Sequence, residues 1–211
     1  MQPVNSELVA IQDEIRASFN WNLSDDIDSA MELSKVMNPK PSIKLNGHVV
    51  VIGANAPANY APIHPAIVAD GAIGAVSDYT NVALLVSDGD GFPYLEKAIN
   101  ANIPICLHAH GDNRKQWKKV LDLIGPNYPI LLTHQTPNEI ENMSNPGGFT
   151  DGDRAVCIAY ALGATSVELV GFSIREVGPW SGITDTKRKL IKLEWMNKVL
   201  QILGFGDLGE R

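Results

Sequence analysis

The chain has 211 residues, 45% of them hydrophobic, enough for one substantial core with a small helical segment in front of it. Its formal net charge of −7 opposes nonspecific binding to nucleic acid, whose phosphates demand a basic surface. No apolar run approaches the roughly 20 residues that span a bilayer, no basic-then-apolar signal opens the sequence, and Cys106 and Cys157 sit in apolar runs, as buried hydrophobes do. A soluble, cytoplasmic protein is expected, with neither nucleic acid nor membrane as partner.

From Ser6 to Met37 the apolar residues have helical spacing: Leu8, Ile11, Ile15 and Phe19, then Ile27, Met31, Leu33 and Val36. Two amphipathic helices are expected, whose apolar faces suit either the core or a second subunit, so a homodimer is one arrangement they allow. Pro39 and Pro41 break the pattern, dividing an N-terminal helical segment (1–45) from the main domain (46–211). Short apolar runs follow at His48–Gly53, Ala66–Ala69, Val82–Ser87, Ile105–His108, Pro129–Thr133 and Val167–Gly171, several separated by helical stretches. That alternation predicts an α/β protein with three α/β/α layers around a mostly parallel, doubly wound sheet.

Ligands of such sheets bind beyond the carboxyl ends of the strands, and here those ends are polar. The first run leads into Gly53-Ala54-Asn55, the second into Asp70-Gly71, the third into Asp88-Gly89-Asp90-Gly91, the fourth into His110-Gly111-Asp112-Asn113, and the fifth into His134-Gln135-Thr136. Asp88 and Asp90 can share a hard cation such as Mg2+, although Asp-Gly-Asp-Gly is also the composition of a solvated turn. His108 and His110 share a face if the strand persists, but their oxygen-rich company suits Mg2+ better than zinc or iron. Asn113 and Gln135 carry amides able to read a heterocycle edge or to satisfy loop backbone.

The stretch Gly147-Gly148-Phe149-Thr150-Asp151-Gly152-Asp153-Arg154 precedes another apolar run and reads as a helix start open to an anion, or as a simple cap by Thr150 or Asp151. Trp180, in a glycine-rich loop, is a lid candidate or a core anchor. Lys187, Arg188, Lys189 and Lys192 read mainly as the solvated face of the last helix. Neither a dinucleotide fingerprint nor a Walker lysine follows Gly53.

Taken together and in this order, Ala69-Asp70-Gly71-Ala72, Ser87-Asp88-Gly89-Asp90-Gly91, His108-Ala109-His110-Gly111-Asp112-Asn113 and Gly147 to Arg154 closely resemble the archaeal 6-hydroxymethyl-7,8-dihydropterin pyrophosphokinases. That family is related to thiamin pyrophosphokinase in its catalytic domain, and the resemblance runs from Val49 to Leu203. It implies Mg2+-dependent transfer of the β,γ-diphosphoryl group of ATP to the hydroxymethyl group of a reduced pterin, with release of AMP. On that basis Asp88, Asp90 and Asp112 are the expected metal ligands, with Asp151 as an addition. Asp70 or His110 orients or deprotonates the attacking hydroxyl. Gly147, Gly148, Thr150 and Arg154 hold phosphate oxygens, while Gly53, Asn55, Gly71, Asn113, Gln135, Asp151 and Asp153 complete the binding set. Three positions depart from the family pattern. Ala56-Pro57-Ala58 replaces Gly-Pro-Ser, Ser87-Asp88-Gly89-Asp90 replaces Thr-Asp-Leu-Asp, and Ser173 stands where an acidic residue is expected. A diphosphokinase with another acceptor, such as thiamin, and a noncatalytic nucleotide- or pterin-binding protein are the alternatives.

Overall fold

Two helices open the chain in the computed structural model, α1 (Glu7–Phe19) and α2 (Leu23–Val36); residues 1–39, 42–182 and 184–210 are described. Pro39 follows α2 as expected, and Pro41, the second expected break, lies outside the described residues. The strands are β1 (Gly47–Ile52), β2 (Ala66–Ala69), β3 (Val82–Ser87), β4 (Ile105–Ala109), β5 (Ile130–His134) and β6 (Ala164–Val170). Four more helices are α3 (Leu95–Asn100), α4 (Arg114–Leu123), α5 (Asp151–Ala161) and α6 (Thr186–Ile202). Each apolar run expected to be a strand is one, with β6 starting at Ala164 rather than Val167.

Among the described residues the six strands form one sheet in the order β5-β4-β3-β2-β1-β6, with every neighbouring pair parallel. Alternate side chains enter opposite layers. Val50, Ile52, Val68 and Leu85 pack with Leu33 of α2, Leu95 of α3 and Trp117 and Val120 of α4. Val49, Val51, Ile67 and Leu84 pack with Val156 and Ile158 of α5 and Leu193, Met196 and Leu200 of α6. Covering both faces explains why the strands read as continuous apolar runs, and it gives the expected three-layer α/β/α architecture. Among the described residues, β1 and β2 are joined without a helix, and only a 3-10 turn over Asp70–Ala75 separates β2 from β3. Cys106 and Cys157 are buried free thiols, as expected. No helix among the described residues is long and apolar enough to cross a membrane.

The N-terminal helices divide between the two outer layers. Leu8, Ile11 and Ile15 of α1 form a cluster with Phe149, Cys157 of α5 and Val199 of α6. On the opposite layer α2 packs against β4 and β5. Asn20 ends α1 with a left-handed φ of 53°, a conformation its side chain tolerates, and the chain turns there toward α2. The buried face of α2 differs from the expected stripe. Met31 and Val36 are 43% and 59% exposed, whereas Asp26, Ser29, Ala30 and Leu33 are buried. The polar members are paired: Ser29 Oγ accepts from Trp117 Nε1 at 3.2 Å, and Asp26 reaches the loops after β4 and β5.

Candidate active site

The chain runs from β1 through β5 toward one edge of the sheet, and β6 then pairs on the other side of β1. That reversal opens a crevice at the carboxyl ends of the strands. The residue immediately following each strand, Gly53, Asp70, Asp88, His110, Gln135 and Gly171, lines one open cleft. Facing them are Lys189 and Lys192 of α6, with Trp21, Phe172 and Trp180 as aromatic walls. Acidic strand ends thus oppose a basic helix face.

Asp70, Asp88 and Asp90 each offer an oxygen within 4.8 Å of the others. Register brings them together, because Ala69 pairs with Val86 and so sets Asp70 beside Ser87, whose hydroxyl donates to Asp70 Oδ1 at 2.5 Å. Asp70 takes a left-handed φ of 44°, a strained conformation for a residue with a side chain and one often found at functional sites. Gly91 admits the carboxylate, since a Cβ there would stand 2.5 Å from Asp70 Oδ1. Burial, with the charges of Asp151, Asp88 and Asp90, pushes the Asp70 carboxyl well above the usual carboxylate range. Asp90 is raised by burial and by Asp88. Burial also works against the charge of Asp88, but the hydrogen bond and charge of His110, with Arg154 behind them, hold it below that range. Of the three carboxylates expected to ligate metal, Asp88 and Asp90 lie in this cluster with Asp70, and Asp112 lies outside it.

Asp112 lies away from the cleft because His110 engages it. His110 Nδ1 is 2.7 Å from Asp112 Oδ1, and His110 Nε2 is 3.2 Å from Asp88 Oδ2, while the Asp112 side chain is 71% exposed. Burial opposes a charged ring, yet the two carboxylates push His110 up to about 9, so at neutral pH it is an imidazolium with both N–H groups committed. A base role for His110 does not fit that state. Asn113 is also turned inward: its Nδ2 donates to Asp88 O at 2.8 Å and His108 O at 2.7 Å, and its Oδ1 accepts from His110 N at 2.9 Å. Its amide staples the loop rather than reading a ligand. His108 is fully buried, bonded to Thr133 and Gln135, and burial with the nearby Arg154 charge keeps it neutral.

At the start of α5 the cap and the anion site separate by residue. Asp153 is fully buried, accepts from Phe149 N at 2.6 Å and Thr150 N at 2.8 Å, and takes the Thr150 hydroxyl as well. Its carboxylate caps the helix and is not among the cleft-lining groups. Gly147 and Gly148 also lie beneath the cleft wall. A Cβ on Gly147 would stand 2.6 Å from Leu8 Cβ, and one on Gly148 2.5 Å from Arg154 Cα, so their bareness serves close packing rather than phosphate approach. Thr150, Asp151 and Arg154 do line the cleft. Arg154 donates to Phe149 O at 2.8 Å and to Asp151 Oδ1 at 3.2 Å, yet its Nε is buried without a hydrogen-bond partner among the described residues. Burial and Asp88 push the Asp151 carboxyl up to about 7, against the pull of Arg154.

Gly53, Asn55, Gly71 and Gln135 are at the cleft as expected. Trp180 is latched there, with Nε1 donating to Ala56 O at 2.9 Å, its backbone N to Ala54 O at 3.2 Å, and its ring edge-on to Tyr94. Ser173 lines the same wall, its hydroxyl accepting from Arg175 N, and Glu176 stands beside it. Trp21 was invisible to periodicity because it lies in the α1–α2 turn. Lys189 and Lys192 were recognised as basic, but helical spacing did not place them on the cleft.

A parallel α/β fold with acidic strand ends and lysines lining one crevice has the features of a class, the enzymes that bind phosphates, and its carboxylate cluster could hold a metal ion. No family model matches the chain. It is 32% identical over 191 residues to 6-hydroxymethyl-7,8-dihydropterin pyrophosphokinase of Methanocaldococcus jannaschii, an alignment covering 75% of each protein. It is 35% identical over 117 residues to the protein of that name from Pyrococcus furiosus and 38% identical over 115 residues to that from Methanothermobacter thermautotrophicus. Those two alignments cover 54% and 53% of this chain and about half of each relative, 48% and 47%. The chain belongs to the 6-hydroxymethyl-7,8-dihydropterin pyrophosphokinase family.

Proposed function

We propose that this chain transfers the diphosphoryl group of ATP to the hydroxymethyl oxygen of 6-hydroxymethyl-7,8-dihydropterin, releasing AMP, with Mg2+ as the working cation. The observation that carries this reading is the triad of Asp70, Asp88 and Asp90 oxygens within 4.8 Å of one another, opposite Lys189 and Lys192. The residues fit a hard divalent cation: three carboxylates supply oxygen donors within 4.8 Å of one another, and burial together with their mutual charge raises Asp70 and Asp90. When bound there, Mg2+ supplies neutralisation of polyphosphate oxygens.

The chain's own groups do the rest. Lys189, Lys192 and Arg154 pair with phosphate oxygens, and the unpartnered Arg154 Nε is a donor waiting for one. His110, held as a cation, steadies Asp88 in its ionised form. Asp151, pushed to about 7, is the carboxylate best set to take the hydroxyl proton at neutral pH. The hydroxymethyl oxygen bonds to the β-phosphorus, the bond from that phosphorus to the α,β-bridging oxygen breaks, AMP leaves, and the proton passes to Asp151. Trp21, Phe172 and Trp180 line the cleft with flat apolar rings that suit planar heterocycles and exclude water. Incubation with ATP, Mg2+ and the pterin is expected to give AMP and no ADP. Turnover with thiamin in place of the pterin would reassign the acceptor, and ADP as product would refute diphosphoryl transfer.

A further inference from the structure

Beneath the cleft five buried groups form one chain of hydrogen bonds across the ends of β4 and β5. Cys106 Sγ lies 3.8 Å from Thr133 Oγ1, Thr133 Oγ1 3.1 Å from His108 Nδ1, His108 Nε2 3.4 Å from Gln135 Oε1, and Gln135 Nε2 3.0 Å from Asp26 Oδ2. The last of these is only an acceptor when ionised, so it fixes every group before it. Gln135 must turn its NH2 toward Asp26 and its carbonyl toward His108. His108 must then carry its proton on Nε2 and accept at Nδ1 from the Thr133 hydroxyl, which in turn accepts from the thiol. Every donor points toward Asp26.

The other oxygen of Asp26 accepts from Gly111 N at 2.8 Å, next to His110. Asp26 is 3% exposed and is balanced by Arg16 of α1, whose Nη1 lies 3.5 Å from Asp26 Oδ2 and donates to Gln135 O at 2.6 Å. Among the described residues, the partners of this carboxylate besides Arg16 are the N–H donors Gly111 N and Gln135 Nε2, a pair that an amide cannot serve at once. Two elements of the N-terminal hairpin thus grip two adjacent strand-end loops, one starting at His110 and one at Gln135.

We propose that Asp26 is a positioning residue of the transfer site: its carboxylate sets the direction of this buried chain and clamps the Gly111 backbone, so that Gln135 and His110 face the cleft in one arrangement. The proposal rests on the transfer reading given above. It makes the N-terminal helices a working part of the site, since the groups that orient its floor come from them. Groups that orient a reacting site at second hand in this way commonly change turnover by 10–100-fold, roughly, when altered.

Two measurements decide it. Ring-nitrogen NMR of labelled wild-type protein is expected to show His108 as the Nε2–H tautomer; the Nδ1–H tautomer would overturn the chain without any variant. Asp26→Asn is expected either to switch that tautomer or to release the Gly111 amide from exchange protection. It is also expected to lower kcat for AMP formation by roughly 10–100-fold, with KM for Mg-ATP within about twofold of wild type. Unchanged His108 and Gly111 signals, or unchanged kcat, would overturn it. Ile15→Val, which loosens the same hairpin without touching the chain, is expected to melt earlier and keep wild-type kcat; a matching loss there would mean that Asp26 is merely structural. If wild type forms no AMP at all, the transfer reading fails, and the NMR arm still decides the chain.

Discussion

Asp70→Asn separates the cost of the carboxylate cluster from its use. With oxygens within 4.8 Å, two unit charges at an effective permittivity of about 20 repel by roughly 3 kcal/mol. Asp70 faces Asp88 and Asp90 at that range, with Asp151 contributing as well, and burial together with these charges raises its pKa above the usual carboxylate range. Asparagine keeps an oxygen for the Ser87 hydroxyl and tolerates the left-handed φ of 44° better than most residues. The expected gain without metal is about 1–3 kcal/mol, or roughly 3–10 °C in Tm for a chain of this size. The sign with pH follows from the raised pKa. Wild-type stability falls as pH rises from the unfolded carboxylate value through the folded one, and the advantage of D70N grows over the same interval. Thermal melts at pH 8 in EDTA and in excess Mg2+ read both sides. Wild type is expected to rise with Mg2+ by about 2.7 kcal/mol at a hundred times Kd, and D70N is expected to start higher and gain little. A D70N protein that melts below wild type in EDTA and keeps the Mg2+ shift would refute the reasoning.

Asp151→Asn, which removes the proposed proton acceptor, is expected to lower kcat by about 10²–10⁴ while leaving nucleotide affinity, measured by calorimetry, nearly intact; wild-type turnover would place the base elsewhere. His134 is almost fully buried and pushed down to about 4 by that burial, so it is neutral in the folded state but protonates in the unfolded one. Its contribution is complete above pH 6.5 and is lost as pH falls toward 4, about 2 kcal/mol by pH 5, with His108 acting in the same sense. Urea unfolding at pH 8 and pH 5 checks this, and His134→Asn is expected to flatten the difference. A Cβ on Gly71 would stand 2.3 Å from Trp180 O, so Gly71→Ala is expected to unlatch Trp180, seen as a red shift in its emission and faster proteolysis between Gly171 and Ser181; an unchanged emission spectrum would show that the latch bends instead.

The strand ends were legible because a parallel sheet leaves continuous apolar runs, and the residue after each run is where ligands meet the fold. The spacing of Asp88 and Asp90 allowed a shared cation or a solvated turn, and the resemblance favoured the cation. Asp70 could be read as a strand end, but its place in the carboxylate cluster depends on the β2–β3 register and a left-handed backbone, neither of which one strand's sequence encodes. Asp112 fell outside the cluster because His110, two residues earlier in the same loop, offers it a partner. Gly147 and Gly148 have the composition of an anion loop, yet what fills the space beside them is Leu8 and Arg154, from other segments. The hairpin shows the same limit: apolar spacing put Met31 and Val36 inward, whereas pairing with Gly111, Gln135 and Trp117 turns Asp26 and Ser29 in.

The most direct test replaces Mg2+ with Mn2+ in crystals grown with α,β-methylene ATP, an analogue that resists cleavage at the bond expected to break. The expected result is an anomalous peak ligated by Asp70, Asp88 and Asp90, with the polyphosphate reaching Lys189, Lys192 and Arg154. A peak ligated instead by Asp112, or a triphosphate bound away from the strand ends, would contradict the account.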